Sequence, residues 1–264
     1  MDNRPIGVFD SGIGGLTVVD AITNNLSNED IIYVGDTARV PYGNKSKNRI
    51  RQYATEITKW LIKQDCKIIV VACNTVSALA LDYLNSTFSI PIIGVIDPGV
   101  EKAVEISQNN KIAVLGTSAT IRSDAYGKRL KAIKPEVVVT SQACPLFVPL
   151  AEEGWIDGEI PFQIATYYFS SIKKMDVDTV ILGCTHYPLL KKTIHSCLGD
   201  HIRLVDSGEA VVKNVISEVE KMKGLSSSTR GKIRCYVTDD PTLFNNIARR
   251  FCMKNPEQAV QIDL

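Results

Sequence analysis

Short runs of apolar, mostly β-branched residues recur along the chain, and stretches of helical periodicity lie between them. Apolar runs of this length, bounded by turn residues, are typical of strands buried in a parallel sheet. We predict nine strands, over residues 6–9, 31–35, 68–72, 90–95, 111–115, 136–140, 179–183, 202–205 and 233–237. Helices are predicted over residues 16–25, 46–64, 75–84, 159–173, 208–222 and 241–251. This alternation indicates parallel sheets joined by right-handed crossovers.

Turn residues mark several further element ends. Asp97 and Pro98 are the predicted N-cap and first residue of one helix. Another helix follows the polar loop 116–120 and is predicted to end near residue 133. Residues 149–154, flanked by Pro and Gly, are expected to form a loop, and residues 224–231, rich in Ser and Gly, a flexible linker.

The strands recur at a nearly constant offset. Ile6 and Ile112 lie 106 positions apart, and Ile31 and Val137 repeat that offset. The third and fourth strands recur at an offset of 111 positions. Four strands in the same order at a similar spacing predict an internal duplication.

The duplication defines the predicted fold class and its domains. We expect an α/β protein with two similar doubly wound parallel-sheet domains, related by pseudo-symmetry, with the active site in the cleft between them. The second half already has four strands, so the tail is expected to return to the first half. The first domain would then comprise residues 1–96 and 207–264, and the second residues 97–206.

Two cysteines occupy equivalent positions in this scheme. Cys73 follows strand 68–72 and precedes Asn74-Thr75, and Cys184 follows strand 179–183 and precedes Thr185-His186. Ligands of open α/β sheets bind just beyond the carboxyl ends of the strands. Unpaired N–H groups at a strand-to-helix turn can stabilise a thiolate, and they also suit a carboxylate ligand. The alternative is that both thiols are buried only for packing.

Two thiols facing each other across a cleft suit inversion at a carbon that carries a proton. One thiolate would remove the proton, and the opposite thiol would return one. A redox disulfide usually has Cys-x-x-Cys spacing, which this chain lacks. A metal site would need more Cys or His nearby, and a single nucleophile would leave one cysteine idle.

Several other residues are candidates for acid–base work. Asp10 and Ser11 lie at the end of the first strand, where Asp10 could support Cys73, hold an ammonium group or cap a helix. Glu152 or Glu153 could support Cys184, although an exposed glutamate without a role is the alternative. His186 is either an acid–base residue or a histidine that only supports the structure.

Composition and charge exclude several functional classes for this protein. With 264 residues, 45% hydrophobic content and a net charge of +1, the chain lacks the basic footprint of a nucleic-acid binder. It has no apolar run long enough to span a membrane, and residues 1–5 lead directly into the first strand, so we expect no secretory signal. The seven cysteines lack the spacing of a disulfide framework, which favours a cytoplasmic protein with reduced thiols.

The glycine-rich turn after the first strand is a weak candidate for a phosphate site. Gly12-Ile13-Gly14-Gly15 lacks the full G-x-G-x-x-G spacing, and tight packing between strand and helix accounts for the glycines. A nucleotide-binding module is therefore the least favoured function.

Taken together, the motifs resemble those of the glutamate racemase family, cofactor-independent members of the aspartate/glutamate racemase superfamily. The matching segments lie in the family's order and spacing: residues 9–15, 36–43, 72–75, 116–117 with 119–120, 149–150 with Glu152, and 182–188. The resemblance implies two α/β domains and interconversion of L- and D-glutamate, supplying D-glutamate for peptidoglycan synthesis. It also implies that neither pyridoxal phosphate nor a metal takes part.

The resemblance implies roles for individual residues. Cys73 and Cys184 would be the two acid/base groups, with Asp10 assisting Cys73, and with Glu152 and His186 assisting Cys184. The implied substrate-binding residues are Asp10, Ser11, Pro41, Tyr42, Gly43, Asn74, Thr75, Thr117, Thr120, Thr185 and His186. The partner would be the small-molecule substrate, with no nucleic acid and no membrane, and a homodimer is one option for the assembly. Racemisation of aspartate or another small dicarboxylate, and a non-catalytic dicarboxylate-binding sensor, remain as alternatives.

Overall fold

Two parallel β-sheets form the framework of the part of the chain that the computed structural model describes, residues 1–222, 224–254 and 256–264. The strands are β1 (Ile6–Asp10), β2 (Ile31–Gly35), β3 (Ile68–Val71), β4 (Ile92–Gly94), β5 (Lys111–Gly116), β6 (Val138–Ala143), β7 (Thr179–Gly183), β8 (Arg203–Asp206), β9 (Ile233–Val237) and β10 (Val260–Gln261). One sheet has the order β10-β9-β2-β1-β3-β4 and the other β6-β5-β7-β8. Every recorded strand pair is parallel, which confirms the predicted fold class.

Helices connect and cover these strands. They are α1 (Leu16–Asn25), α2 (Lys47–Lys63), α3 (Asn74–Leu79), α4 (Leu81–Thr87), α5 (Ile96–Ile106), α6 (Ser118–Ser123), α7 (Ala125–Ile133), α8 (Phe147–Glu153), α9 (Glu159–Phe169), α10 (Lys191–Leu198), α11 (Ser207–Lys221) and α12 (Pro241–Ala248). Short 3₁₀ turns lie at Tyr42–Asn44, Ile172–Lys174 and Tyr187–Leu190. No helix in the described ranges combines the length and the apolar character needed to cross a membrane.

The two halves repeat one strand order. In each, the first strand lies between the second and the third, and the fourth pairs with the third. The connections therefore diverge between β1 and β3, and again between β5 and β7. A crevice opens at such a divergence, beyond the carboxyl ends of the strands. Each half thus offers one ligand-binding edge.

Burial on both faces explains why the strands are apolar throughout. Successive side chains on a strand point to opposite faces. Val8 packs in the cluster shared with α1 and α11, whereas Phe9 packs in the cluster shared with α2. The strand β9 pairs with β2, placing the C-terminal part of the chain in the first sheet. The domain boundaries near residues 96 and 206 stay a prediction.

Several predicted helices have different ends. The helix predicted over 75–84 is two helices, because the backbone at Ala80 leaves the helical region. The helix ending at residue 133 is also divided, where Asp124 adopts a left-handed conformation with φ 53°. The α5 helix begins at Ile96, so Asp97 lies in its first turn and is not its cap. Asp206, in contrast, caps α11 by accepting bonds from two backbone N–H groups.

The prediction of a loop over residues 149–154 is wrong, and this changes the placement of Glu152. Residues Phe147–Glu153 form α8, and Gly154 ends it in a left-handed conformation with φ 80°. Glu152 therefore lies on a helix and not in a loop. Proline tolerates the first turn of a helix, and glycine favours the position just after its end, so these residues mark helix ends here. The strand predicted over 136–140 also lies later, as β6, and the short β10 was not predicted.

A buried ion pair joins three distant parts of the chain. Lys67 is fully buried, and its Nζ lies 2.5 Å from Oε2 of Glu29. The same ammonium donates to the backbone oxygens of Asp2, at 2.8 Å, and Gly224, at 2.5 Å. Oε1 of Glu29 accepts a bond from the Ser226 N–H. Both charges are thus surrounded by partners, and the start of the serine-rich segment is attached to the first sheet.

We expect Lys67→Met to lower the free energy of unfolding by ~3–5 kcal/mol, because it leaves the Glu29 carboxylate buried without its counter-ion. The double variant Lys67→Met/Glu29→Gln should recover part of the loss, since no uncompensated charge remains. Urea denaturation measures both. Lys59→Met, which changes an exposed lysine of α2, is the control. Equal stabilities of Lys67→Met and Lys59→Met would contradict this account.

Candidate active site

A cavity of about 220 Å³ lies where the carboxyl-end edges of the two sheets meet. It is smaller than the ~300–1,000 Å³ of sites for drug-sized ligands, which suits a small metabolite. Eleven of the predicted site residues line it: Ser11, Pro41, Tyr42, Gly43, Cys73, Asn74, Thr75, Thr117, Cys184, Thr185 and His186. The other three, Asp10, Thr120 and Glu152, contact lining residues from behind. The structure therefore brings together residues from both halves of the chain.

Cys73 occupies the N-cap position of α3, two residues after Val71, which ends β3. Its thiol is buried, and its Sγ lies 3.6 Å from the Ser11 hydroxyl oxygen. The pKa of the Cys73 thiol is raised to about 12, first by burial and next by the charge of Asp10, against the lowering effect of the Val76 N–H. At Cys73, burial therefore outweighs the thiolate stabilisation that the sequence predicts from the N–H groups of the turn.

Asp10, the last residue of β1, is nearly fully buried. Its Oδ2 accepts a bond from the Gly12 N–H at 3.0 Å, and its Oδ1 lies 3.5 Å from the Thr185 hydroxyl of the other half. Burial raises the pKa of Asp10, while the charge of His186 and the N–H groups of the turn oppose that rise. Since Gly15 occupies the N-cap position of α1, Asp10 does not cap that helix.

Cys184 has a different set of neighbours. Its Sγ lies 3.8 Å from Nδ1 of His186, and Nε2 of that imidazole lies 2.9 Å from Oε1 of Glu152 on α8. Burial lowers the pKa of His186, but the hydrogen bonds to Cys184 and Glu152 outweigh burial and raise it to about 10. The histidine is buried, whereas the Glu152 side chain is 35% exposed. A thiol, an imidazole and a carboxylate thus form one chain of proton-exchanging groups.

Three threonine hydroxyls meet at one wall of the cavity, with Thr75 and Thr117 in the lining and Thr120 behind them. The Thr75 oxygen lies 2.9 Å from that of Thr117 and 3.3 Å from that of Thr120, and the last two are 3.0 Å apart. Thr75 follows β3 and the other two follow β5, so the group joins the two halves. Each hydroxyl can both donate and accept, which lets the group turn a donor towards an anion.

Asn74 is held by two residues that the sequence did not indicate. Its Oδ1 accepts a bond from the Tyr126 hydroxyl at 2.5 Å, and its amide lies 3.4 Å from the Ser207 hydroxyl. Because a phenol at this position donates to Oδ1, the amide oxygen faces Tyr126. Tyr126 has no motif around it, and only the contact between α7 and the turn after β3 shows its role.

Tyr42 lines the cavity, but its hydroxyl is used elsewhere. It donates to the buried Asp36 carboxylate, which also accepts bonds from Arg39 Nε, at 2.7 Å, and the Thr238 hydroxyl, at 2.9 Å. These bonds fix the loop that carries Pro41 and Gly43. A 3₁₀ turn starts at Tyr42, and the first N–H groups of such a turn have no partner within it, so they can donate to a ligand.

The remaining lining residues are mostly apolar, and none of them was predicted as a site residue. They are Val40, Asn44, Ser118, Pro145, Val148 and Pro149. The position of Ser118 at the start of α6 was the available signal, because N–H groups are free there. Among the residues that the structure describes, the cavity lining includes no Lys and no Arg, so an anionic ligand would be held by hydroxyl, amide and backbone donors together with His186. The described residues include no cluster of three or more metal-binding side chains.

The two halves come into direct contact at Gly14. A Cβ at this position would collide with the Thr185 hydroxyl and the His186 ring. Thr17, one turn further along, donates to the Thr185 carbonyl at 3.0 Å. Glycine is therefore required here for the close approach of the β1 turn to the residues that follow Cys184.

Comparisons with known proteins agree with this geometry. A family model described as Asp/Glu/hydantoin racemase matches residues 6–215. A glutamate racemase of Geobacter metallireducens is 48% identical over 250 residues, which cover 94% of this chain and 92% of that protein. The crystal structure of the glutamate racemase isoform RacE1 of Bacillus anthracis superposes with a TM-score of 0.96 at 35% identity, covering 100% of this chain and 99% of that one. A Francisella tularensis glutamate racemase in complex with D-glutamate gives a TM-score of 0.93 at 40% identity, covering 100% and 98%.

We expect Glu152→Gln to lower the pKa of His186 from about 10 towards its ordinary value, because the carboxylate that helps to raise it is removed. NMR titration of the His186 ring measures this. A raised pKa stabilises the fold fully below the unfolded value near 6.5 and no longer does so once the pH has risen through about 10. The stability advantage of the wild type over Glu152→Gln should therefore shrink across that interval.

Glu153→Gln is the matched control, because Glu153 is exposed and adjacent in sequence. It should leave the His186 titration unchanged. Equal effects of the two substitutions would show that general charge, and not the 2.9 Å contact with Glu152, determines the pKa of His186.

Proposed function

The chain belongs to the Asp/Glu/hydantoin racemase family, and within it to the glutamate racemases, and we propose from this membership and from the cavity that it interconverts L- and D-glutamate. It is accordingly an isomerase. We propose that Cys73 and Cys184 carry the reaction, each transferring a proton to or from the α-carbon on its own face. The D-glutamate formed would supply peptidoglycan synthesis.

The observation that carries this proposal is the placement of two buried thiols at equivalent strand ends, both lining one small cavity. A carbon held between them would have one thiol on each face. Inversion needs a base on one face and an acid on the other, and two thiols supply both roles in either direction. A packing role explains burial but does not explain why both thiols line the same cavity.

Neutral donors would hold the substrate's carboxylates. The threonine group, the Asn74 amide and the N–H groups at the starts of α3, α6 and the Tyr42–Asn44 turn support this. The α-ammonium would lie on the Asp10 and Ser11 side, where a buried carboxylate favours a cation. We propose these residues together as the substrate-binding site.

Proton transfer on the Cys73 side needs a thiolate. The positive charge of the bound ammonium would lower the raised pKa of Cys73, and Asp10, whose own pKa is raised by burial, would take the proton from the thiol. The thiolate would then remove the α-proton, and the electron pair left on the carbon would be delocalised into the α-carboxylate. Cys184 would donate its proton to the opposite face, and His186, hydrogen-bonded to Glu152, would return a proton to Cys184. Asp10 would then release its proton to water and His186 would take one up, which restores the site, and the reverse reaction uses the same groups in the opposite order.

Aspartate is the alternative substrate. The ratio of kcat/KM for glutamate and aspartate decides between them, and the proposal requires glutamate to be favoured. Calorimetry that detects dicarboxylate binding without turnover would support a sensor instead.

We also propose that the reaction needs no cofactor, which activity after dialysis against EDTA would test. We propose further that the protein is cytoplasmic. A homodimer stays a prediction, to be tested by sedimentation velocity.

Single-cysteine variants in deuterated water test the two-thiol mechanism. Cys73→Ala and Cys184→Ala should each lower racemisation by ~10²–10⁴-fold, the usual contribution of a positioned acid or base. Each variant retains one thiol, so it should still exchange the α-proton of only one enantiomer with solvent deuterium. The two variants should act on opposite enantiomers. Proton NMR follows the loss of the α-proton signal.

Cys66→Ala is the matched control, because Cys66 is equally buried but does not line the cavity. It should racemise at close to the wild-type rate. In free solution the two enantiomers have equal free energy, so kcat/KM is equal in both directions and cannot reveal which thiol serves which enantiomer. Exchange can. Full racemisation by both cysteine variants would rule the mechanism out.

A further inference from the structure

The Glu152–His186 pair lies in the second half of the chain, yet two residues from the C-terminal segment contact it. Arg250 Nη1 donates to the backbone carbonyl of Glu152. The Phe251 ring meets the His186 ring edge-on, with centroids 5.4 Å apart and an interplanar angle of 80°. Both residues follow α12, and α12 follows β9 of the first sheet. We call Arg250 and Phe251 the C-terminal clamp.

Arg250 binds at the carbonyl end of α8. The last carbonyls of a helix lack partners within it, and the helix dipole makes that end negative. A guanidinium placed there satisfies a carbonyl and complements the dipole. The turn at Gly154 is adapted to this contact, because a Cβ there would lie 3.2 Å from Arg250 Nη1. The clamp therefore fixes the end of the helix that carries Glu152.

Phe251 is itself held firmly. It is 4% exposed and belongs to the hydrophobic cluster of α1, α11 and α12, which also includes Ala151 from α8. Its N–H donates to the Ala248 carbonyl at 3.0 Å, and the next residue but one, Met253, donates to the Asp20 side chain of α1 at 2.8 Å. The ring thus lies against His186 as part of a packed core and not as a loose tail.

We infer that the C-terminal clamp is a positioning element for the Glu152–His186 pair, and that it serves the Cys184 side of the reaction selectively. This inference rests on the proposed function. Arg250 and Phe251 do not line the cavity, so they are positioning residues. The Phe251 ring shields the imidazole from water, and a hydrogen bond in a dry environment is stronger and better defined. The recorded partners of Cys73, which are Ser11 and Val76, do not include the clamp.

The test uses the two single-cysteine variants as backgrounds. In Cys73→Ala only the Cys184 side can exchange a proton, and in Cys184→Ala only the Cys73 side can. We expect Arg250→Ala and Phe251→Ala each to slow exchange of the α-proton of glutamate by about 10- to 100-fold in the Cys73→Ala background, the scale of a small misplacement of catalytic groups. In the Cys184→Ala background the same substitutions should leave the exchange rate within about twofold, since the Cys73 side keeps its geometry.

Two further readouts separate positioning from loss of folding. Arg250→Lys, which keeps a cationic donor, and Phe251→Leu, which keeps an apolar cover, should recover most of the exchange rate. Arg250→Ala, which loosens Glu152 without uncovering the imidazole, should move the pKa of His186 down from about 10 towards its ordinary value. The alkaline limb of the pH–rate profile in the Cys73→Ala background should shift to lower pH accordingly.

Arg249→Ala is the matched control, because Arg249 is the exposed neighbour of Arg250. It should change neither background. Equal slowing of both backgrounds by the clamp variants would show a general structural role and overturn the inference, as would an unchanged rate in Cys73→Ala. Arg250 is exposed, so its variants should fold even where Phe251→Ala does not. Absence of exchange in both parent variants would reject the proposed function itself, and the role of the clamp with it.

Discussion

The burial of the acid and base groups at the cleft is the constraint on which their chemistry depends. Cys73, Asp10 and His186 are all buried, and burial disfavours the charged form of each. A buried ionisable group therefore needs a partner that decides where its proton lies. Burial raises the pKa of both Cys73 and Asp10, and the charge of His186 opposes that rise at Asp10. His186 instead has two permanent partners, so its charge is supplied by the fold.

The fold is symmetric, but its chemistry is not. Each half presents one cysteine after its third strand, at the same point of the same strand order. The support for Cys73 comes from β1 of its own sheet. The support for Cys184 comes from the adjacent His186 and from α8, and the C-terminal segment of the other half reaches across to hold both of those supports. Gene duplication can explain two equivalent thiols, whereas distinct neighbours allow one site to receive two mirror-image substrates.

The ends of the strands could be predicted from the sequence, because a short apolar run followed by polar residues is rarely anything but a buried strand that ends in a turn. Residues that follow a strand directly, such as Cys73 and Thr185, were therefore found. The residues themselves offered Glu152 or Glu153, both placed in a loop because Pro149 and Gly154 mark helix ends as readily as turns, and only the resemblance selected Glu152. Tyr126, Arg250 and Phe251 act through contacts between elements distant in sequence, and no local pattern encodes such contacts. The pKa of Cys73 also needed the structure, because burial competes with the N–H groups of its turn.

The contact at Gly14 has a consequence for the evolution of the chain. Two copies of one domain can at first drift apart independently, each tolerating its own substitutions. Once the β1 turn lies directly against Thr185 and His186, a methyl group gained in one half becomes a steric conflict in the other. The two halves can then change only together. Neither could be replaced by the corresponding half of a relative unless the residues on both sides of the Gly14 contact were replaced as well.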